Sequence, residues 1–293
     1  TRTELKAQPD YLQQFKEANP APIKVAGLQH INLKEASAKL RAKQQETDAA
    51  ISKEEQSENL TALADVPFAH LHNHSQFSVL QSTAAIQDLV DAAAKHQMNA
   101  VALTDRGNMM GAFHFVSAVE KFNKSLEEDQ QDKKIKPIIG CEFFVCEDRL
   151  NKSQKDNGYQ VVLLAKNKKG YHNLAKMASI AYTEGFYYVP RIDKEVVARY
   201  KDDLIALTGN LYGEVPNKLL NVGENQAEEA LLWWIQQFPG DLYVELMRHG
   251  QEDEDRVNPA LINLARKHEL PLVAANDTYY IDQEDANAHD ILL

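Results

Sequence analysis

The sequence predicts an α/β fold: a mainly parallel sheet closed into a barrel with helices outside, preceded by a helical or linker extension. Three observations lead there. Beyond residue 65, short apolar runs alternate with amphipathic stretches, as repeated strand–helix units do. The apolar runs are nearly continuous, which suits strands covered on both faces. No G-x-G-x-x-G follows the first of them, so an open dinucleotide-binding sheet loses its main support.

The elements follow in chain order. Residues 32–63 are rich in Ala, Lys, Glu and Gln and sparse in apolar side chains, which reads as a solvent-facing helical segment or linker. Asn19-Pro20-Ala21-Pro22 marks a break before it, and of twelve glycines only Gly27 falls within the first 65 residues. The domain boundary is therefore placed between residues 1–65 and 66–293. Residues 66–71 are a strand candidate, and 84–96 a helix with Ile86, Leu89, Val90 and Ala93 on one face. Residues 100–104 (AVALT) are a buried strand ending at Asp105, and 111–124 are helical. Residues 136–145 and 159–165 (YQVVLLA) are strands separated by a polar loop. Helices are expected over 168–182 and 193–200, a strand over 204–208 (LIALT), and a helix over 225–238. A strand at 242–247, a helix at 254–269, a strand at 272–275 and a helix at 284–293 complete the pattern.

Composition narrows the function classes. A 44% hydrophobic, 26% charged chain is globular. No stretch approaches the ~20 apolar residues of a membrane span, and no secretion signal opens the chain. Two cysteines, Cys141 and Cys146, are too few for a disulfide framework and read as buried thiols of a reducing, cytoplasmic compartment. The formal charge of −11 argues against a stand-alone nucleic-acid binder, which needs clustered Lys and Arg. It fits a protein that gathers cations and equally fits ordinary solubility.

Reactive side chains of a parallel barrel gather at the C-terminal ends of its strands. The first such end carries His70, His72 and His74, which strict alternation would put on one side. Three imidazoles sharing a face point to a metal. Later ends offer Asp105, Glu142, His249 and Asp277, and such a set suits a hydrolytic zinc or manganese centre. Each acid alone also fits a helix cap, His249 fits a surface position before Gly250, and His70 fits a supporting hydrogen bond. No nucleophile elbow or phosphate-binding loop is present.

The segments His70-Leu71-His72-Asn73-His74-Ser75, Ala102-Leu103-Thr104-Asp105 and Ile139-Gly140-Cys141-Glu142-Phe143 closely resemble the PHP (polymerase and histidinol phosphatase) domain. The version resembled is that of bacterial replicative DNA polymerase III α subunits. Gly185-Phe186-Tyr187-Tyr188 with Pro190-Arg191-Ile192-Asp193, Arg248-His249-Gly250, Asn276-Asp277 and Glu284 to Asp290 continue the likeness over residues 66–293. The resemblance implies a distorted TIM-like barrel of PHP type with up to three divalent metals, Zn or Mn. One metal would be held by His72, His74, Glu142 and Asp277. A second would share Glu142 and His249, but Gln160 replaces its remaining histidine. The third is expected to be lost, with Arg106 and Tyr279 where relatives have histidine and Gln81 where an acid stands. Arg106 would partly replace the missing cation, and His70 and Asp105 would lie nearby.

The resemblance further implies a structurally retained domain, weak or inactive as a nuclease, within a Mg-dependent polymerase. Its expected partners are the remaining polymerase domains, DNA through the full protein, an upstream proofreading exonuclease joined by residues 1–65, and replisome subunits. The polymerase palm would follow residue 293. Two rival readings are an active metal-dependent 3′–5′ exonuclease and a free phosphoesterase of a small phosphate ester.

Overall fold

A computed structural model describes residues 66–293, so the extension expected over 1–65 lies outside the described residues. In chain order the elements are α1 (Ile86–Lys95), β1 (Ala100–Leu103), α2 (Ala112–Ser125), β2 (Lys136–Cys146), β3 (Tyr159–Ala165), α3 (Lys168–Thr183), β4 (Arg191–Asp193) and α4 (Lys194–Tyr200). Then come β5 (Leu204–Leu207), α5 (Glu214–Asn221), α6 (Glu224–Gln237), β6 (Leu242–Leu246), α7 (Glu252–Lys267), β7 (Leu272–Ala274) and α8 (Ala286–Leu292). No helix among the described residues is long and apolar enough to cross a membrane.

The strands lie in the order β1-β2-β3-β5-β6-β7, with β4 alongside the end of β2. Pairs β1/β2, β2/β4, β5/β6 and β6/β7 are parallel, whereas β3 runs antiparallel to both β2 and β5. This corrects the expectation of a mainly parallel sheet around β3. The polar loop after β2 carries no crossover helix, and only a crossover could have returned the chain parallel.

Residues 66–71 form no strand; Val66 and Phe68 are exposed and the chain bends at His72. Their neighbours nevertheless close the ring. The Ala102 and Thr104 amides donate to the carbonyls of His70 and Asn73 (2.8 and 2.9 Å), on the β1 side. On the other side His74 donates to the Thr278 carbonyl at 2.8 Å and Thr278 to the His72 carbonyl at 3.2 Å. Residues 70–74 thus tie β1 to the chain leaving β7.

Alternation along the strands sorts side chains to two faces. Ala102, Val162, Leu164 and Leu207 pack inside the barrel with Ile138, Tyr243 and Val273. The intervening Phe143, Leu163, Ala206, Leu242 and Val244 face the covering helices and form the main core. Cys141 and Cys146 are buried, free thiols. Level with the C-terminal end of β1 the interior turns polar: cross-strand partners of apolar positions give way to Glu142 within β2, Gln160 at the start of the antiparallel β3 and Glu245 near the end of β6.

Candidate metal centre

Two ends of the ring deliver the central donors. Asn73 faces away from them and is locked there: its amide nitrogen donates to the Ala102 carbonyl at 2.9 Å, and Thr278 Oγ1 donates to its oxygen at 2.5 Å. His72 and His74, on either side, turn inward and are fully buried. Asp277 arrives from the chain beyond β7 with φ +47°, a left-handed conformation that costs a non-glycine residue of order 1 kcal/mol. Asn210 donates to Asp277 Oδ2 at 2.8 Å and fixes the other oxygen toward the histidines.

The distances are short. Asp277 Oδ1 lies 3.0 Å from His74 Nε2 and 3.3 Å from His72 Nε2. Glu142 on β2 places Oε2 3.5 Å from His74 Nε2 and Oε1 4.0 Å from His72 Nε2. Donor atoms of His72, His74 and Asp277 all fall within 4.8 Å of one another, the spacing of a common ion.

Hydrogen bonds on the far side of each ring decide what the near side offers. His72 Nδ1 is 2.9 Å from Glu245 Oε1, so Nδ1 carries the proton and donates it to that carboxylate. His74 Nδ1 is 3.0 Å from Ser78 Oγ, whose own proton goes to Asp105 Oδ1 at 2.8 Å; His74 Nδ1 therefore also donates. Both Nε2 lone pairs then face carboxylate oxygens, which repel them unless a cation stands between. His72 Nε2 and Glu142 Oε1 are buried with no hydrogen-bond partner, so the residues present fit a divalent ion. Without one, a proton takes the place: burial opposes charge on His72, but Asp277, Glu245 and Glu142 overcome it and raise its pKa to about 10. Asp277 shows the reciprocal effect, its carboxyl held well below the usual range by both histidines and Asn210 despite burial.

Three of the four substituted positions meet at one guanidinium. Arg106 Nε donates to Glu142 Oε2 at 2.6 Å, Nη1 to Gln81 Oε1 at 3.0 Å and Nη2 to the Tyr279 hydroxyl. Its guanidinium sits 5.7 and 5.5 Å from the centroids of Phe144 and Tyr279. Tyr279 stacks on His74 at 4.3 Å, and burial beside Glu142 and Asp277 raises its pKa far above the usual value, keeping it a neutral phenol. Gln160 is buried with its Oε1 unpartnered.

Other sequence candidates lie elsewhere. His70 does not join His72 and His74: the bend at His72 breaks the alternation, and His70 packs edge-on to Phe68 at 4.9 Å. Asp105 accepts from Ser75 N, Ser75 Oγ and Ser78 Oγ (2.7–2.8 Å), bracing the loop and, through Ser78, His74. His249 is not brought to the group. Its Nδ1 lies 2.6 Å from Glu254 Oε1 and its Nε2 2.7 Å from the Asn276 carbonyl, so both nitrogens meet acceptors. Burial opposes protonation there, but Glu254 and that carbonyl prevail and raise the pKa; with both nitrogens engaged, the ring turns no free lone pair toward the group. The sequence reading missed Glu245, Ser78 and Asn210. Only Glu245 carried a signal, as an acid two positions after an inward tyrosine at a strand's C-terminal end.

DNA polymerase III subunit alpha of Borreliella burgdorferi is 41% identical over 230 residues, covering 77% of this chain and 19% of the relative. The Treponema pallidum subunit is 41% identical over 236 residues (79% and 19%), and that of Thermus aquaticus 39% over 233 (77% and 18%). The chain thus spans about a fifth of the length of the curated relatives it matches. The sequence profile of the PHP domain matches residues 70–249, well over half of the chain and the stretch that contributes His72, His74, Glu142 and Glu245. The chain belongs to the PHP domain family.

Proposed function

We propose that residues 66–293 are the PHP domain of a bacterial replicative DNA polymerase III α subunit, serving mainly as a scaffold that braces the rest of that polymerase. Residues 1–65 are its connector, toward an upstream proofreading exonuclease. The site is reduced to one divalent ion, Zn²⁺ or Mn²⁺, held by His72, His74, Glu142 and Asp277. The single observation behind this reading is Arg106, whose guanidinium takes Glu142 Oε2 at 2.6 Å. A guanidinium donates and never ligates, so the carboxylate that would bridge two ions keeps one oxygen for a metal.

A bound ion supplies Lewis acidity and the charge that Glu142 and Asp277 face. His72 and His74 present fixed lone pairs to it, while Arg106, Gln81 and Tyr279 fill the side where further ions would bind. Hydrolysis of phosphodiesters draws on two metals, or on one with an open, oriented position; here the filled side favours structure over chemistry. Polymerisation, its Mg²⁺, DNA and replisome partners belong on this proposal to the longer protein, in the cytoplasm.

The rival reading, an active 3′–5′ exonuclease, draws support from the converging unpartnered donors at His72 and Glu142. Elemental analysis of protein purified without chelator, with a 3′-labelled single-stranded DNA digestion, separates the two. The expected result is about one ion per chain and no cleavage. Two or three ions, with cleavage lost in His72→Ala, would overturn the scaffold reading.

A further inference from the structure

We infer that Glu245 is a positioning residue of the metal centre, and that its charge matches the site to one divalent ion; this rests on the metal-binding reading above. Glu245 is 1% exposed, deep in the barrel at the end of β6. Its Oε1 accepts from His72 Nδ1 at 2.9 Å, which fixes both the tautomer and the ring plane of His72. Its other oxygen, Oε2, has no hydrogen-bond partner. A buried carboxylate with a spare oxygen is costly unless positive charge lies close, and among the described residues the His72 imidazole is the only hydrogen-bond partner of this one. An ion on His72 Nε2 supplies that charge to Glu245 through the ring.

Charge counting gives the capacity. Glu142, Asp277 and Glu245 bring three negative charges into one buried cluster around His72. Arg106 cancels one through Glu142, and one divalent ion cancels the other two. A second divalent ion would leave the cluster with two excess positive charges in a low-dielectric interior. The supports of the two histidines also differ: His74 leans on the neutral hydroxyl of Ser78, His72 on a full carboxylate. His72 is therefore the more strongly donating imidazole, and Glu245 the support whose loss weakens binding most.

The test uses Glu245→Gln, which keeps shape and a hydrogen-bond acceptor but removes the charge. Zn²⁺ affinity is measured by chelator competition and the ligand field by the visible spectrum of the Co²⁺ form. Affinity is expected to fall about 10–100-fold, the usual cost of losing such a support, with an altered Co²⁺ spectrum. Val273→Ala, at the register partner of Glu245 on β7, loosens the same layer and is expected to lower stability while leaving affinity within about twofold. If Glu245→Gln does not fold, Glu245→Asp carries the test: the charge withdrawn by one methylene should lower affinity at unchanged stoichiometry. A Glu245 variant that binds as tightly as wild type, with the same Co²⁺ spectrum, overturns the inference. Wild type that binds no ion at all sinks instead the metal-site reading on which it rests.

Discussion

Arg191→Ala is expected to lower the unfolding free energy by about 3–5 kcal/mol, read as a fall in the urea midpoint at unchanged slope. Arg191 is completely buried on β4, yet no carboxylate of the described residues pairs with it. Its donors go to backbone carbonyls: Nε to Gly185 at 2.9 Å, Nη1 to Asp156 at 2.8 Å, and Nη2 to Arg149 and Asn151 at 3.2 and 3.0 Å. The Tyr187 ring adds a cation–π contact, 5.5 Å from the guanidinium carbon. One side chain thus holds two irregular segments, the loop between β2 and β3 and the turn before β4. Removing it strands four acceptors and opens a cavity, each lost hydrogen bond costing about 1 kcal/mol or more when its partner stays buried. Arg191→Lys keeps the charge but has one ammonium for four separated carbonyls, so it should recover less than half of the loss. Gly185→Ala attacks the same clasp from the other side, because a Cβ there would lie 1.9 Å from the Arg191 carbonyl oxygen. An Arg191→Ala midpoint within about 1 kcal/mol of wild type would show that the loops stand without the clasp.

What the sequence discloses follows from how local each cause is. AVAL, YQVVLL and LIAL read as strands because their burial on both faces is written into consecutive residues. The direction of β3 was readable only in the missing helix before it. Residues 66–71 looked like a strand by composition, but Val66 and Phe68 stay exposed, and the backbone bonds of residues 70–74 come from partners about 30 and 200 residues away. In the site, His72, His74, Glu142 and Asp277 stood out as strand-end donors in a familiar order. Glu245 and Ser78 did not, because each acquires its role from one hydrogen bond made by the completed fold. His70 was grouped with its neighbours on the premise of regular alternation, and the bend at His72 removes that premise. His249 illustrates the same limit: its strand-end place is visible in sequence, while Glu254, five residues on and folded back over it, is not.

Arg106→Ala is expected to make the protein's stability depend more strongly on bound metal. In wild type, Arg106 covers Glu142 Oε2, so chelation leaves only Oε1 of that carboxylate bare. In the variant the Glu142 carboxylate, 1% exposed, loses its guanidinium partner. Breaking one side of a buried ion pair costs about 3–5 kcal/mol, and Gln81 and the Tyr279 hydroxyl lose their partner as well. The variant has one remedy, since both oxygens of Glu142 become available beside His72 and His74. A divalent ion at 100 times its dissociation constant restores about 2.7 kcal/mol by mass action, and more as the second oxygen strengthens binding. Thermal melts in chelator and in excess Zn²⁺ should therefore diverge by several degrees more in Arg106→Ala than in wild type. Elemental analysis of the variant then distinguishes how the space is used. One ion bound more tightly would mean that Arg106 only screens Glu142, whereas a second ion would mean that it occupies a lost metal position. Equal metal-induced shifts in both proteins would show instead that Glu142 takes no part in holding the ion.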